Sequence, residues 1–487
     1  MNATRRHWLP ALLLVLSLPA TNALAQDLLI IDDDSDASLS IDDGGEDLMI
    51  DDGGSELSIE EAPAKTSGGD VAAQVQNFDD GRGRLRAGLD TVRVEAGVFD
   101  TDSSADYQGY AHITASLNWQ QGPWEVQASA RADAFDEEPA NKNQSVARGE
   151  WNDADVDYDE TFVRYKGQSG ILTLGAQRVI WGRIDEFPPS DKLSTQDLRR
   201  ALLDDMEDRR LASAAVRYEH FVANGKLDLL YLPRFRESEL PGQDSVWYPI
   251  NRRSGAILGL DTSAAAQAVI RTAPISEKAP DTDGGGGLRF SQLGEGFDYA
   301  LTLQHGPATL PYFAYNPTNG VIEARYLRST SVGADAGFEA LGGTLKLEAA
   351  WSSDTPVTRT DGRFDSVESV AWGVALEIFP GDGDARVNLQ LTGNQLLGAP
   401  SVMDRDGMVS LNGSLEMPFA GDQWRARLRF NAGLDMDDLY LNPELTYTGL
   451  RNQEIYLEAH AFDGEDGSLG GFYEDDSLLT LGWRANL

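Results

Sequence analysis

The chain has 487 residues, with 40 basic and 79 acidic side chains and a formal net charge of −39, which disfavours nucleic acid or anionic lipid headgroups as electrostatic partners. It contains no cysteine, which removes disulfide scaffolds, thiolate metal sites, iron–sulfur clusters and cysteine nucleophiles together. Forty-nine Gly, 10 Trp and 15 Tyr spread along the length suit many short strands and turns, so one large all-β domain is expected.

Arg5 and Arg6 precede an apolar run from Leu9 to Leu18, and Ala23-Leu24-Ala25 gives the small-x-small pattern that signal peptidase needs before Gln26. Residues 1–25 are read as a secretory signal peptide. The run is too short for a spanning helix, and no later stretch approaches the roughly 20 continuous apolar residues that one requires. With no cysteine at the cleavage point, lipoprotein anchoring is not expected. The mature chain is expected beyond the inner membrane, free or held in an outer membrane by a β-barrel.

Residues 26–62 form an acidic segment expected to be disordered when alone: positions 27 to 61 hold 14 acidic and no basic side chains. A five-residue unit recurs in it four times. The copies are Leu29-Ile30-Ile31-Asp32-Asp33, Leu39-Ser40-Ile41-Asp42-Asp43, Leu48-Met49-Ile50-Asp51-Asp52 and Leu57-Ser58-Ile59-Glu60-Glu61. Repetition of Leu-x-Ile before an acidic pair reads either as a multivalent short motif or as a solubilising spacer made by duplication. On the first reading Leu29, Ile31, Leu39, Ile41, Leu48, Ile50, Leu57 and Ile59 bind a periplasmic protein partner. Asp32, Asp34, Asp36 and Asp43 match EF-hand positions poorly, because Ala37 stands where Gly is needed and the twelfth residue is not Glu, so no metal site is expected. Residues 63–83 are small and polar and read as a linker.

From 84 to 487 the chain alternates apolar and polar residues over segments of about ten, as in a strand with two unlike faces. Trp124, Val126, Ala128 and Ala130 oppose Glu125, Gln127, Ser129 and Arg131; Trp424, Ala426, Leu428 and Phe430 oppose Arg425, Arg427, Arg429 and Asn431. A soluble sandwich alternates too, so connection length decides. Short connections near residues 120–123, 166–170, 223–226, 293–296, 341–344, 380–384, 420–423 and 449–453 alternate with mostly longer ones. That is the rule for a transmembrane antiparallel β-barrel with periplasmic turns and external loops. The count is about 18 strands, with 16 as the alternative because the strand near 286–292 is weak. An even count places both termini in the periplasm. Trp119, Trp124, Trp351, Trp424 and Trp483 near strand ends suit aromatic girdles.

Between residues 170 and 241 the sequence is most individual: Trp181-Gly182-Arg183-Ile184-Asp185, Pro188-Pro189-Ser190-Asp191, Gln196-Asp197-Leu198-Arg199 and Leu232-Pro233-Arg234-Phe235. This stretch resembles a Gram-negative family of outer-membrane barrels of unassigned function often associated with RND-type exporters, and more distantly porin-type and alginate-export barrels. The resemblance implies transport across the outer membrane and does not identify the cargo; the acidic segment is not part of the family pattern, so its partner, expected in an RND-type export system, is specific to this subgroup. Ser194-x-x-Asp197 resembles a capping box, with Leu198, Leu202, Leu203 and Met206 on one side of a helix running to about Asp208. Arg199, Arg200, Arg209 and Arg210 beside Asp204, Asp205, Glu207 and Asp208 are expected to pair among themselves. At the C-terminus, Thr480-x-Gly482-x-x-Ala485-x-Leu487 looks like the β-signal of outer-membrane barrels, with Leu487 in place of the usual aromatic residue.

Chemistry-bearing residues are few. His112, His220, His305 and His460 are the histidines after the signal peptide, and there is neither a Gly-x-Ser-x-Gly elbow nor a metal-like histidine spacing. No catalytic residue and no cofactor is expected. Arg131, Arg386, Arg425, Arg427, Arg429, Glu348, Glu377, Glu416, Glu444 and Glu458 are the pore-lining candidates, because a guanidinium row facing carboxylates can orient polar solutes. The sequence thus favours an outer-membrane channel or export conduit for small polar or amphipathic solutes, embedded in outer-membrane lipid. The alternatives are a closed-lumen surface-binding or scaffold barrel using the 234–285 loop and, more remotely, an outer-membrane hydrolase.

Overall fold

The structure, a computed structural model, describes residues 83–140, 150–381, 383–398 and 401–487. The period-two segments form one antiparallel sheet that closes on itself. In chain order the strands are β1 (Arg84–Phe99), β2 (Ala105–Gln121), β3 (Trp124–Pro139), β4 (Trp151–Tyr158 and Thr161–Lys166), β5 (Gly170–Gln177) and β6 (Ser213–Val222). Then follow β7 (Gly225–Leu232), β8 (Gly285–Gln292), β9 (Phe297–Pro307), β10 (Arg328–Ala340), β11 (Gly343–Thr358) and β12 (Phe364–Ile378). The last six are β13 (Arg386–Leu397), β14 (Gly407–Phe419), β15 (Trp424–Gly433), β16 (Asp438–Leu450), β17 (Gln453–Gly464) and β18 (Leu478–Asn486).

The two segments of β4 pair with successive stretches of β3, Ala130 to Glu137 and Trp124 to Gln127, so they count as one interrupted strand. The 19 segments of the sheet therefore make 18 barrel strands. The weak segment near 286–292 is a full member, paired to β7 and β9, which excludes the count of 16. Closure comes from β1 against β18, from Thr91↔Asn486 to Phe99↔Leu478. The terminal signature is thus the strand that seals the wall.

Side-chain parity fixes which solvent each face meets. Val94, Ile113, Leu172, Leu229, Leu301, Val332, Leu411, Ile455 and Leu481 are all exposed and point outward around the circumference. Their strand neighbours Glu95, Thr173, Asp228, Thr302, Asn412 and Thr480 are buried and point inward. Apolar exposure of this extent is stable only against lipid, and closure leaves no unpaired strand edge there. The chain is an outer-membrane β-barrel. Trp124 packs on Tyr165 with ring centroids 4.8 Å apart and Trp424 on Tyr447 at 5.0 Å, forming a girdle at the short-turn end. Trp351 lies toward the other end, where its Nε1 donates to Glu368 at 3.2 Å. The short turns are economical: Leu341-Gly342 joins β10 to β11 with φ of 55° and 80°, the doubly left-handed geometry that matches strand twist.

The longer connections gather at the opposite end, and two of them are built structures. Residues 178–212 turn into the barrel and cross its lumen; they are called the inner loop. Residues 233–284 cover the mouth as a cap. Tyr248, Ile250, Ile257, Leu260 and Ile270 of the cap share an apolar core with Phe313 and Ile322 of the connection between β9 and β10. Val246 and Trp247 of the cap instead pack with Leu203 of the inner loop, Phe99, Tyr440 and Phe462 of the wall, and Tyr473.

The helix expected from Ser194 to Asp208 is not formed. Thr195–Gln196 pairs with Arg210–Leu211 as a short ribbon, and helix α1 is confined to Met206–Arg209. Several charged residues of this stretch pair with the wall instead: Asp197 with Arg131 of β3, Arg200 and Asp204 with Glu95 and Arg93 of β1, and Asp205 with Arg427 of β15. Those contacts outweigh the modest propensity of a 15-residue amphipathic pattern.

Candidate functional site

The inner loop is fastened to the wall nearly all the way round. Trp181 Nε1 donates to Asp228 of β7 at 3.1 Å. Arg183 pairs with Asp335 of β10, and Glu348 of β11 accepts from the backbone N–H groups of Arg183, Ile184 and Ser190 at 2.7, 3.0 and 2.6 Å. Asp185 accepts from Asn388 of β13, and Lys192 N–H donates to Gln304 of β9 at 3.3 Å. On the far wall Asp197 meets Arg131 of β3 at 2.9 Å, Arg200 meets Glu95 of β1, and Asp204 meets Arg93 of β1 at 2.8 Å. Only a segment inside the barrel can reach all of these strands.

Glycines make room for it. A Cβ on Gly287 would stand 2.7 Å from the Trp181 ring, on Gly333 2.6 Å from Ser190 Oγ, on Gly337 2.8 Å from the Arg183 guanidinium, and on Gly373 3.1 Å from Ile184. These four positions on β8, β10 and β12 give the 181–190 turn a bare wall to lie against.

The arginine row on β15 is where the inner loop meets its strongest wall contacts. Arg427 holds both carboxylate oxygens of Asp205 at 2.7 Å, a bidentate pair. Arg429, almost completely buried, donates to Asp205 at 2.8 Å and to the carbonyls of Leu202, Leu203 and Asp204. The self-paired surface expected of the loop is therefore replaced in part by pairing with the wall; Arg200 to Asp204 at 2.6 Å and Arg199 to Asp197 at 2.7 Å are internal pairs, and Arg209 and Arg210 pair within the loop with Glu186 and Asp191.

The other candidates are distributed as follows. Arg131 lies between Asp133 at 2.8 Å and Asp197, deep against the inner loop. Arg386 donates to Glu377 at 2.7 Å, and Lys346 approaches the same carboxylate at 3.4 Å. Glu416 stands in register with Arg386 on one side and Arg427 on the other. Glu444 receives Arg484 at 3.3 Å with Arg427 and Arg425 at 3.9 and 4.0 Å, while Arg425 donates to Glu454 at 3.2 Å. Glu458 accepts from Asn442 at 3.1 Å and lies 3.5 Å from His460. Arginines and glutamates of nearby strands thus meet one another rather than segregating onto opposite walls. The eight Leu and Ile candidates, Leu29, Ile31, Leu39, Ile41, Leu48, Ile50, Leu57 and Ile59, lie outside the described residues.

Between the inner loop and the inner faces of β1 to β3 lies a cavity of about 350 Å³. Its wall side is polar, with Thr114, Ser116, Gln127 and Ser129; its loop side carries Arg178, Asp208 and Arg209. His112 lines it, its Nδ1 2.7 Å from Asp133 and its Nε2 2.8 Å from Thr114 Oγ1. Sequence reasoning missed Glu95, Asp133 and Asp205, on which the loop's fastening depends. Parity would have found the first two, since Asp133 continues the inward series Gln127, Ser129, Arg131. For Asp205 the sequence suggests a partner within the loop, because only the tertiary fold brings it to Arg427 and Arg429 of β15.

No family model matches the chain, and no curated protein matches it. Solved structures to which the chain is similar include outer-membrane porins. OmpF of Salmonella typhi is 13% identical, with 84% of this chain and 99% of that chain covered at a TM-score of 0.42. OpdL of Pseudomonas aeruginosa is 11% identical, with 83% and 98% covered at 0.45. OccK11 of Pseudomonas aeruginosa is 10% identical, with 83% and 96% covered at 0.44. The barrel itself is established by the strand register and closure described above.

Proposed function

We propose that this chain is an outer-membrane channel for small polar solutes, in which the inner loop sets what passes. The observation that carries the reading is the charged cavity of about 350 Å³ at the inner loop, inside a closed barrel whose inward face is polar on strand after strand. Water-excluding barrels fill their lumen with apolar side chains, whereas a polar lumen suits hydrated solutes. In a cell the short turns would face the periplasm and the cap the outside. Purified protein in liposomes should admit small polar solutes, read as swelling, at rates that fall with solute size; liposomes that stay osmotically intact would overturn the reading.

The acidic segment 26–62 would then recruit a periplasmic partner through its four Leu-x-Ile units, within an RND-type export system. Replacing the eight Leu and Ile by Ser should leave barrel assembly intact and abolish partner co-purification, because multivalent capture needs every unit. A second reading, a closed barrel that binds partners at the surface, is favoured by the separate apolar core of the cap. It predicts no solute flux, so the swelling experiment separates the two.

A further inference from the structure

Arg209 is a buried cation with too little around it. Its side chain is 2% exposed, its Nε has no hydrogen-bond partner among the described residues, and its carboxylate neighbour within 4 Å is Glu186, at a long 3.7 Å. Burial lowers its affinity for a proton, and the nearby Arg429 adds to that, even though Glu186, Asp204 and Asp205 act in the opposite sense. A buried guanidinium normally has carboxylate partners at hydrogen-bond distance, as Arg131 has in Asp133 at 2.8 Å and Asp197 at 2.9 Å in the same lumen. Arg209 instead borders the cavity, whose lining also includes Arg178, already paired with Asp159 at 2.6 Å.

The same cavity has an acidic pole. Asp208 lines it with a side chain 63% exposed, and the cation within reach, Arg93, is 3.5 Å away and already engaged by Glu95 and Asp204. Successive residues of a helical turn diverge by about 100°, so Asp208 and Arg209 present their charges in different directions and do not pair with each other. A simple anion would satisfy Arg209 and meet Asp208 as a like charge; a simple cation would do the reverse. The hydroxyls and amide of Thr114, Ser116, Gln127 and Ser129 add uncharged hydrogen-bonding capacity opposite.

We propose that this cavity is a binding site for a small zwitterionic solute of amino-acid type, its carboxylate held by Arg209 and its ammonium by Asp208. The site deepens the channel reading and rests on it only for its place on a transport path. Binding itself is measurable without transport.

The test is calorimetric titration of the full chain in detergent with three matched probes: L-glutamine, 4-carbamoylbutanoate, which lacks the amine, and 4-aminobutanamide, which lacks the carboxylate. L-glutamine should bind saturably and about tenfold or more tighter than either analogue, the value of one charge-assisted contact. Arg209→Gln should erase its advantage over 4-aminobutanamide, and Asp208→Asn its advantage over 4-carbamoylbutanoate. If Arg209→Gln fails to give heat-modifiable barrel, the exposed Asp208→Asn decides alone. Absence of saturable L-glutamine binding, or an advantage that survives the substitutions, overturns the site. Ion conduction by a protein that does not bind L-glutamine would leave the channel reading standing and remove this one.

Discussion

Asp205 carries two guanidinium partners, and its position explains why the inner loop stays across the lumen. Arg427 fixes both of its oxygens and Arg429 adds a third contact plus three loop carbonyls. A planar guanidinium can address these acceptors at once and an ammonium cannot, so Arg429→Lys is not conservative. Arg429→Ala should cost about 3 kcal/mol of local stability, because it leaves three loop carbonyls without their donor and Asp205 with Arg427 alone, while the barrel still assembles. Faster hydrogen exchange across 198–209, with the strands unchanged, is the expected result. Acid should act on the same contacts. Burial pushes the carboxyls of Asp204 and Asp205 up, but Arg200 and Arg93 around the first, and Arg429 and Arg427 around the second, hold both below the ordinary range. Carboxyls depressed in this way stabilise the loop above their unfolded value of about 3.9, and the contribution is lost as pH falls below it. Exchange in 198–209, corrected for its intrinsic pH dependence, should therefore be flat above about pH 5 and rise below about pH 4. Asp205→Asn should flatten that rise.

Strands and loops differ in how much of them the sequence disclosed. Wall strands such as β3 and β15 were legible because lipid on one side and water on the other impose a strict period of two on each strand separately. The inner loop was not, because its form depends on contacts with eight wall strands that no local pattern encodes. The apolar spacing of Leu198, Leu202 and Met206 suggests a helix, yet Leu203 packs with Val246 and Trp247 of the cap, and Arg199 and Arg200 reach the wall. Glycines were visible only as composition, although four of them are the bed of the 181–190 turn. Gly333→Leu should displace that turn, since even a Cβ would sit 2.6 Å from Ser190 Oγ, while β10 keeps its pairing with β9 and β11. Unaltered heat-modifiable migration with new protease cleavage between 181 and 190 is the predicted outcome. Uncleaved protein would show that the turn is held by Glu348 rather than by the bare wall.

For the molecule as a whole, the alternation of short and long connections leaves 18 or 16 strands, and the full membership of β8 with β1 closing on β18 settles 18. An epitope inserted at Gly242, in the cap, should be labelled on intact cells, whereas one beside Gly383, in the turn between β12 and β13, should need a permeabilised outer membrane. Labelling of the second site on intact cells would invert the orientation. The candidate site was legible only in part. The inward arginines and glutamates could be read from parity, but their pairing between nearby strands, their engagement with the inner loop and the cavity at Arg209 emerge only from closure. Whether that closed wall surrounds a path for ions is decided by current through a planar bilayer containing the purified full-length chain. The account predicts discrete, voltage-stable conductance steps, and larger steps with a shift toward anions for Asp205→Asn, which frees Arg427 and Arg429. A bilayer that stays silent for both proteins, with folded barrel recovered from it, would contradict the account.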